Sequence, residues 1–188
     1  EVHSDARLFS GGPYTDASAR ITAVLEARTF TSKNPAAAGF SFASYTYQRD
    51  SQQVFQKISP LDNKGELVTK FTMPKQSVYY GRLTIESAVQ DDRGKHIAAQ
   101  SQADYVGLDR FVGLHSPQWI YEAKKPAGIE YLVVDEHGYP VKGTAVDIKI
   151  ERQVNTAARI KGAGNAYITN FTTSWQPTGT CAGTPDAA

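Results

Sequence analysis

The sequence is poor in residues that carry chemistry. Of its 188 residues one is cysteine and one is methionine, so no internal disulfide forms. No Cys/His spacing approaches a zinc site either, and a stapled or metal-nucleated fold is excluded. Charge of one sign is also lacking, since 20 Lys+Arg stand against 19 Asp+Glu for a formal net charge of +1. There is no basic field to recruit nucleic acid or an anionic membrane, and no acidic tail to solvate the chain. Nothing approaches the roughly 20 apolar residues of a membrane-spanning helix, and no charged head with an apolar run reads as a signal peptide. Direct membrane insertion is not expected. The chain starts at Glu1 rather than Met, which suggests processing or an excised fragment.

What the sequence does have is aromatic residues, 11% of the chain, with 10 Tyr and 8 Phe, and 40% apolar residues in all. That is enough to fill cores, and the bias favours strands over helices. The length suits two domains of roughly 90–100 residues each. Period-two alternation is the strongest regular signal. Ile21, Ala23, Leu25 and Ala27 fall on one face of an expected strand, with Glu26 and Arg28 on the other. The period returns at Leu67, Thr69 and Phe71, at Leu83, Ile85, Ser87 and Val89, at Val146, Ile148 and Ile150, and at Tyr167, Thr169, Phe171, Thr173 and Trp175. A helix over 15–30 is the competing reading at the first of these, but β-branched residues at 21, 22, 24 and 29 favour a strand.

Asp62-Asn63-Lys64-Gly65, Asp91-Asp92-Arg93-Gly94 and Asp135-Glu136-His137-Gly138 each place a carboxylate three residues before a glycine. The carboxylate can bond the turn backbone and the glycine can take a positive φ, so these are expected hairpin corners. The run Val89 to Gly94 echoes Val134 to Gly138, as two copies of one fold would, although turn chemistry alone gives the same letters. Short strands between such corners predict an all-β chain of two tandem antiparallel sandwiches. Residues 103–114 form a Gly-punctuated extended stretch in which Tyr105, Leu108, Phe111 and Leu114 offer large apolar groups. A domain junction there would be stiff rather than a flexible tether.

Catalytic and metal motifs fail on spacing. Gly39-Phe40-Ser41-Phe42-Ala43 lacks the second glycine of a nucleophile elbow and reads as a serine in an aromatic strand. His3, His96, His115 and His137 are dispersed, and neither Asp91/Asp92 nor Asp135/Glu136 follows the alternating-oxygen pattern of a calcium loop. Gly162-Ala163-Gly164 has Tyr167 where a dinucleotide fingerprint needs its last glycine, and reads as a loop. Asn170-Phe171-Thr172 matches a glycosylation sequon but falls within an expected strand. Pro185-Asp186-Ala187-Ala188 reads as an unanchored end. Trp119 and Trp175 are expected as sandwich anchors. Cys181 is either a free thiol or half of a disulfide whose other half is missing. No enzyme activity and no cofactor are expected.

One stretch resembles a family. Tyr105-Val106-Gly107-Leu108, Phe111-Val112-Gly113-Leu114-His115-Ser116-Pro117-Gln118-Trp119 and Val133-Val134-Asp135-Glu136-His137-Gly138-Tyr139-Pro140-Val141-Lys142-Gly143, leading into Val146-Asp147-Ile148-Lys149-Ile150, resemble the macroglobulin domains of bacterial alpha-2-macroglobulins. Ala6-Arg7-Leu8-Phe9-Ser10-Gly11-Gly12-Pro13 resembles the family's strand ending in an aromatic, Gly-Gly-Pro corner, and Asp62-Asn63-Lys64-Gly65 followed by Phe71-Thr72-Met73-Pro74 resembles its later hairpin. The resemblance implies two macroglobulin-like sandwiches, 1–107 and 108–188. The family's first strand would precede residue 1 and the second sandwich would continue past Ala188. Edges left open in this way imply poor stability or a strand-exchanged oligomer.

The family traps proteases: a bait segment is cleaved and the ring of domains collapses around the protease, often with a Cys-x-Glu-Gln thioester. Cys181-Ala182-Gly183-Thr184 lacks the Glu-Gln, so the resemblance implies a scaffold, with neighbouring domains as partners and proteases met only through the full-length protein. Cys181 would then pair with a downstream cysteine in an oxidising periplasm, where any membrane anchor belongs to the parent chain. The alternative is a pair of Ig-like modules of an adhesin or carbohydrate-binding protein, with a β-sandwich hydrolase as a third reading.

Overall fold

The computed structural model describes residues 1–43, 51–75, 77–91, 93–122, 124–161, 164 and 166–185. Asp92, Gly162, Ala163 and the terminal Asp186-Ala187-Ala188, on which sequence expectations were placed, lie outside the described residues. The chain is all-β and divides into two compact units, Glu1–Pro140 and Val141–Ala188.

In the first unit the chain forms β1 (Val2–Asp5), β2 (Ser18–Ala27), a 3-10 turn (Pro35–Ala37), β3 (Ser51–Pro60), β4 (Glu66–Thr69), β5 (Tyr80–Gln90), β6 (His96–Val106), β7 (Arg110–His115) and β8 (Glu130–Asp135). A four-stranded antiparallel sheet runs β3-β2-β5-β6, and β1-β4 and β7-β8 form two-stranded pairs. The second unit is one long ribbon, β9 (Val146–Lys161) against β10 (Tyr167–Gly183).

β2 is the buried centre of the four-stranded sheet. Ala19, Ile21, Ala23, Leu25 and Ala27 alternate out of water, between β3 on one side and β5 on the other. Ile21 faces Ser87 and Leu25 faces Leu83 across the β5 ladder, so small and branched side chains share one pleated face. The helical alternative for 15–30 fails here. Asp16, at a φ of 56°, stands just ahead of the strand.

The three Asp-x-x-Gly segments fold alike. The Oδ1 atoms of Asp62, Asp91 and Asp135 each accept two backbone N–H bonds, from Lys64 and Glu66, from Arg93 and Lys95, and from His137 and Tyr139, at 2.6–3.0 Å. Gly65, Gly94 and Gly138 close each turn at φ +77°, +78° and +87°, where a Cβ would be strained. Only the Asp91 turn joins neighbouring strands, β5 and β6. The Asp62 turn carries the chain from β3 to β4 in a different sheet, and the Asp135 turn folds β8 back so that Val134 bridges Pro140. Because the third turn repeats the pattern of the other two, the echo between 89–94 and 134–138 follows from turn chemistry and needs no duplication.

Candidate interdomain junction

The segment from Tyr105 to Leu114, expected from the sequence to be a domain junction, lies inside the first compact unit, Glu1–Pro140, and it is short and pinned. Three residues separate β6 from β7. Gly107 donates its N–H to the Tyr79 carbonyl at 2.8 Å. A Cβ on Gly107 would meet the Val78 carbonyl at 2.7 Å and the Tyr105 ring at 3.1 Å, so only glycine passes without displacing backbone.

Beyond the turn, Phe111 enters an aromatic cluster. Its ring stacks on Phe30 at 4.1 Å between centroids with 3° between planes, and Phe42 and Tyr80 meet Phe30 edge-on at 5.2 Å. Offset stacks and T-shaped pairs are the arrangements the ring quadrupoles favour. Phe30 and Phe111 are 6% and 8% exposed, and Val134 and Ala37 complete the cluster with Leu132 against it. The cluster thereby joins β5, through Tyr80, to the β7-β8 pair. Burial, reinforced by Asp104, raises the pKa of the Tyr80 phenol.

Residues 28–43 strap this arrangement together. Arg28 donates its N–H to the Tyr80 carbonyl, and Ser41 and Leu114 exchange both backbone bonds at 2.8 and 2.9 Å. Ser32 Oγ donates to the Gly138 carbonyl at 3.0 Å and accepts from the Asn34 N–H. Asn34 caps the 3-10 turn by accepting from Ala36 N–H. Gly113 sits under the strap, where a Cβ would fall 2.8 Å from the Phe42 ring.

Of the four residues singled out by sequence, Phe111 lies in this cluster and Tyr105 packs against the adjoining one of Leu25, Ala27 and Val78. The side chains of Leu108 and Leu114 stay exposed, Leu114 acting through its backbone. Sequence reasoning passed over Phe30, Tyr80 and Phe42, and the strap itself, because only Phe40-Ser41-Phe42 carried an aromatic signal and it read as a strand. The segment makes a single bridge at Ser41 instead. Trp119 is 95% exposed and Trp175 is also exposed, so neither is the expected sandwich anchor.

His115 pairs with Glu130 at 2.9 Å and lies against the Phe40 ring. Ser41 is nearby in the fold, but its Oγ accepts from the Ala43 N–H at 3.4 Å, the geometry of a local turn. Among the described residues no group of three or more His, Cys, Asp or Glu side chains could hold a metal ion. Cys181 is exposed on β10, opposite Ile148. The aromatic cluster and strap are thus a mechanical feature: they fix the β7-β8 pair to the four-stranded sheet.

No family model and no curated protein sequence matches the chain. Solved structures do. The chain is similar to Salmonella alpha-2-macroglobulin reacted with methylamine, with a TM-score of 0.65 at 12% identity over 98% of this chain and 13% of that one. It is also similar to the native conformation of E. coli alpha-2-macroglobulin, with a TM-score of 0.62 at 12% identity over 97% and 12%. The E. coli protein activated by porcine elastase gives 0.52 at 14% identity over 92% and 17%. The fold is that of macroglobulin-like β-sandwich domains, and the chain spans about an eighth of the length of the first two proteins.

Proposed function

We propose that this chain is a scaffold segment of a larger protease-trapping protein of the alpha-2-macroglobulin kind and carries no catalysis of its own. The observation that supports this best is the pairing of near-complete fold coverage with a junction built from stacked aromatics and a hydrogen-bonded strap. A trap needs its domains to move as bodies after cleavage, and a tether that bent freely would dissipate that movement. In this reading 1–107 and 108–188 are successive macroglobulin-like domains, the second continued by further chain. Phe111, Tyr105, Leu108 and Leu114 mark the passage between them. The parent chain works in the periplasm, and Cys181 pairs with a cysteine beyond this segment. Neighbouring domains of the parent are its partners, and proteases reach it through the parent alone.

The test is to treat the parent protein with a protease and follow both cleavage and compaction by small-angle scattering. Cleavage followed by compaction is expected, with Phe111→Ala leaving cleavage intact and reducing compaction. Compaction unaffected by Phe111→Ala, or micromolar binding of glycans by the 188-residue chain, overturns the reading.

A further inference from the structure

The connection between β7 and β8 is long for a hairpin. Fourteen residues, 116–129, separate the two strands, where about 2–5 suffice, and every described residue among them is exposed. The base of the loop is fastened: Tyr121 donates its hydroxyl to the Gly128 carbonyl at 2.7 Å, and Ser116 Oγ lies 2.6 Å from the same hydroxyl. Farther out, Lys125 donates its N–H to the Glu122 carbonyl at 3.2 Å, and its Nζ pairs with the Glu122 carboxylate at 2.6 Å. Lys124 has a φ of 66°, in the left-handed region that a residue with a Cβ occupies only at a cost.

An exposed loop held by short-range bonds is where a protease finds a stretch of chain to draw into its cleft, because opening it disturbs nothing in the core. Lys124 supplies the basic side chain that trypsin-class enzymes select, and Lys125 does not compete with it, because Pro126 follows and blocks cleavage at the Lys125 carbonyl. By contrast, Arg20 and Arg82 lie within paired strands, and the N–H groups of Lys64 and Arg93 are held by Asp62 and Asp91. We propose that the β7-β8 loop is a cleavage site for trypsin-class proteases, cut after Lys124, and that the cut chain persists as a folded two-piece molecule. Water adds across the Lys124–Lys125 peptide bond: the C–N bond breaks, Lys124 ends in a new carboxylate and Lys125 begins with a new amino group.

The two pieces, 1–124 and 125–188, share contacts that do not depend on the loop. β7 stays paired with β8 from Arg110 opposite Asp135 to His115 opposite Glu130, and His115 Nδ1 is 2.9 Å from the Glu130 carboxylate. Val133 and Val134 of the second piece are 0% exposed, and Val134 packs in the cluster with Phe30 and Phe111 of the first. Ser32 Oγ donates to the Gly138 carbonyl at 3.0 Å, a further bond across the cut. β8 is therefore held in place whether or not the chain is continuous after Lys124. The inference stands apart from the scaffold reading; if that reading holds, a scaffold that meets proteases through its parent keeps its body after a loop is cut.

Limited trypsin digestion of the 188-residue chain, read by intact mass, tests the site. It should give the pair 1–124 and 125–188. Lys124→Gln should abolish that pair, whereas Lys125→Gln should leave it; both side chains are exposed, so neither change disturbs the fold. Gel filtration at micromolar concentration tests the cohesion of the pieces. The cut chain should elute with the uncut one, and the pieces should part only in urea. The proposal is overturned if trypsin leaves the Lys124–Lys125 bond whole, or if Lys124→Gln yields the same pair of fragments. It is equally overturned if the pieces elute separately without denaturant.

Discussion

β2 and β10 carry the same sequence pattern and meet opposite fates. In β2 the alternating row Ala19, Ile21, Ala23, Leu25 and Ala27 is buried throughout. In β10 the row Tyr167, Thr169, Phe171, Thr173 and Trp175 is exposed, and Phe171 keeps 75% of its surface. Both strands are paired along their length, and each carries one register shift, between Ala23 and Val24 against β3 and between Pro177 and Gly179 against β9. The difference lies in what covers them: β2 is central in a four-stranded sheet, whereas β10 belongs to a ribbon with one partner strand. Alternation thus specifies a strand and a face, and burial is decided by topology at longer range.

The contrast can be broken or sharpened by substitution. The largest effect is expected at Leu25→Ala, which should lower stability by about 2–5 kcal/mol, while Phe171→Ala should change it by less than about 0.5 kcal/mol. Urea unfolding followed by tryptophan fluorescence and circular dichroism measures both, and similar losses at the two sites would remove the distinction. Next comes packing at the junction. Gly113→Ala drives a methyl into the Phe42 ring and should cost about 1–3 kcal/mol. Gly128→Ala, with open space around it, should be close to neutral in the same assay.

Smaller still is the turn after β8. Asp135→Ala removes the acceptor of the His137 and Tyr139 N–H groups and should cost about 1 kcal/mol. The smallest effect is a pH dependence. Backbone bonds from Glu66 and then Lys64 hold the Asp62 carboxyl below its ordinary pKa. The folded value is depressed relative to the unfolded one, so this contribution is present above the unfolded pKa and is lost as pH falls through the folded value. The urea midpoint should decline across that acidic window, and Asp62→Asn should flatten the decline. An unchanged slope would show that the carboxylate does not favour the fold.

The elements legible in sequence were those governed by neighbours along the chain. The period of β2, the three Asp-x-x-Gly turns and the alternation of Val146, Ile148 and Ile150 follow from local sterics and hydrogen bonding, and each is found where those rules place it. The junction was legible only at Phe111. Phe30 and Phe42 lie in segments without a period, and Tyr80 opens a strand whose pattern begins later. Their meeting depends on contacts across 50 or more residues of chain, between Phe30 and Tyr80 and between Phe30 and Phe111, which no local pattern encodes. The tryptophans misled for the converse reason: a large aromatic in an alternating run predicts a core, but Trp119 follows β7 in a segment without strand pairing, and Trp175 lies on the ribbon.

The central claim is that the aromatic cluster makes β7-β8 and the four-stranded sheet one mechanical body. Native-state hydrogen exchange tests it most directly. The amides of Phe111 to Leu114 and Leu132 to Val134 should open with the same free energy as those of Ala19 to Ala27. Phe30→Ala should lower all of them together. If β7-β8 instead opens at a lower free energy than β2, and Phe30→Ala leaves that opening unchanged, the junction is not stiff and the account is wrong.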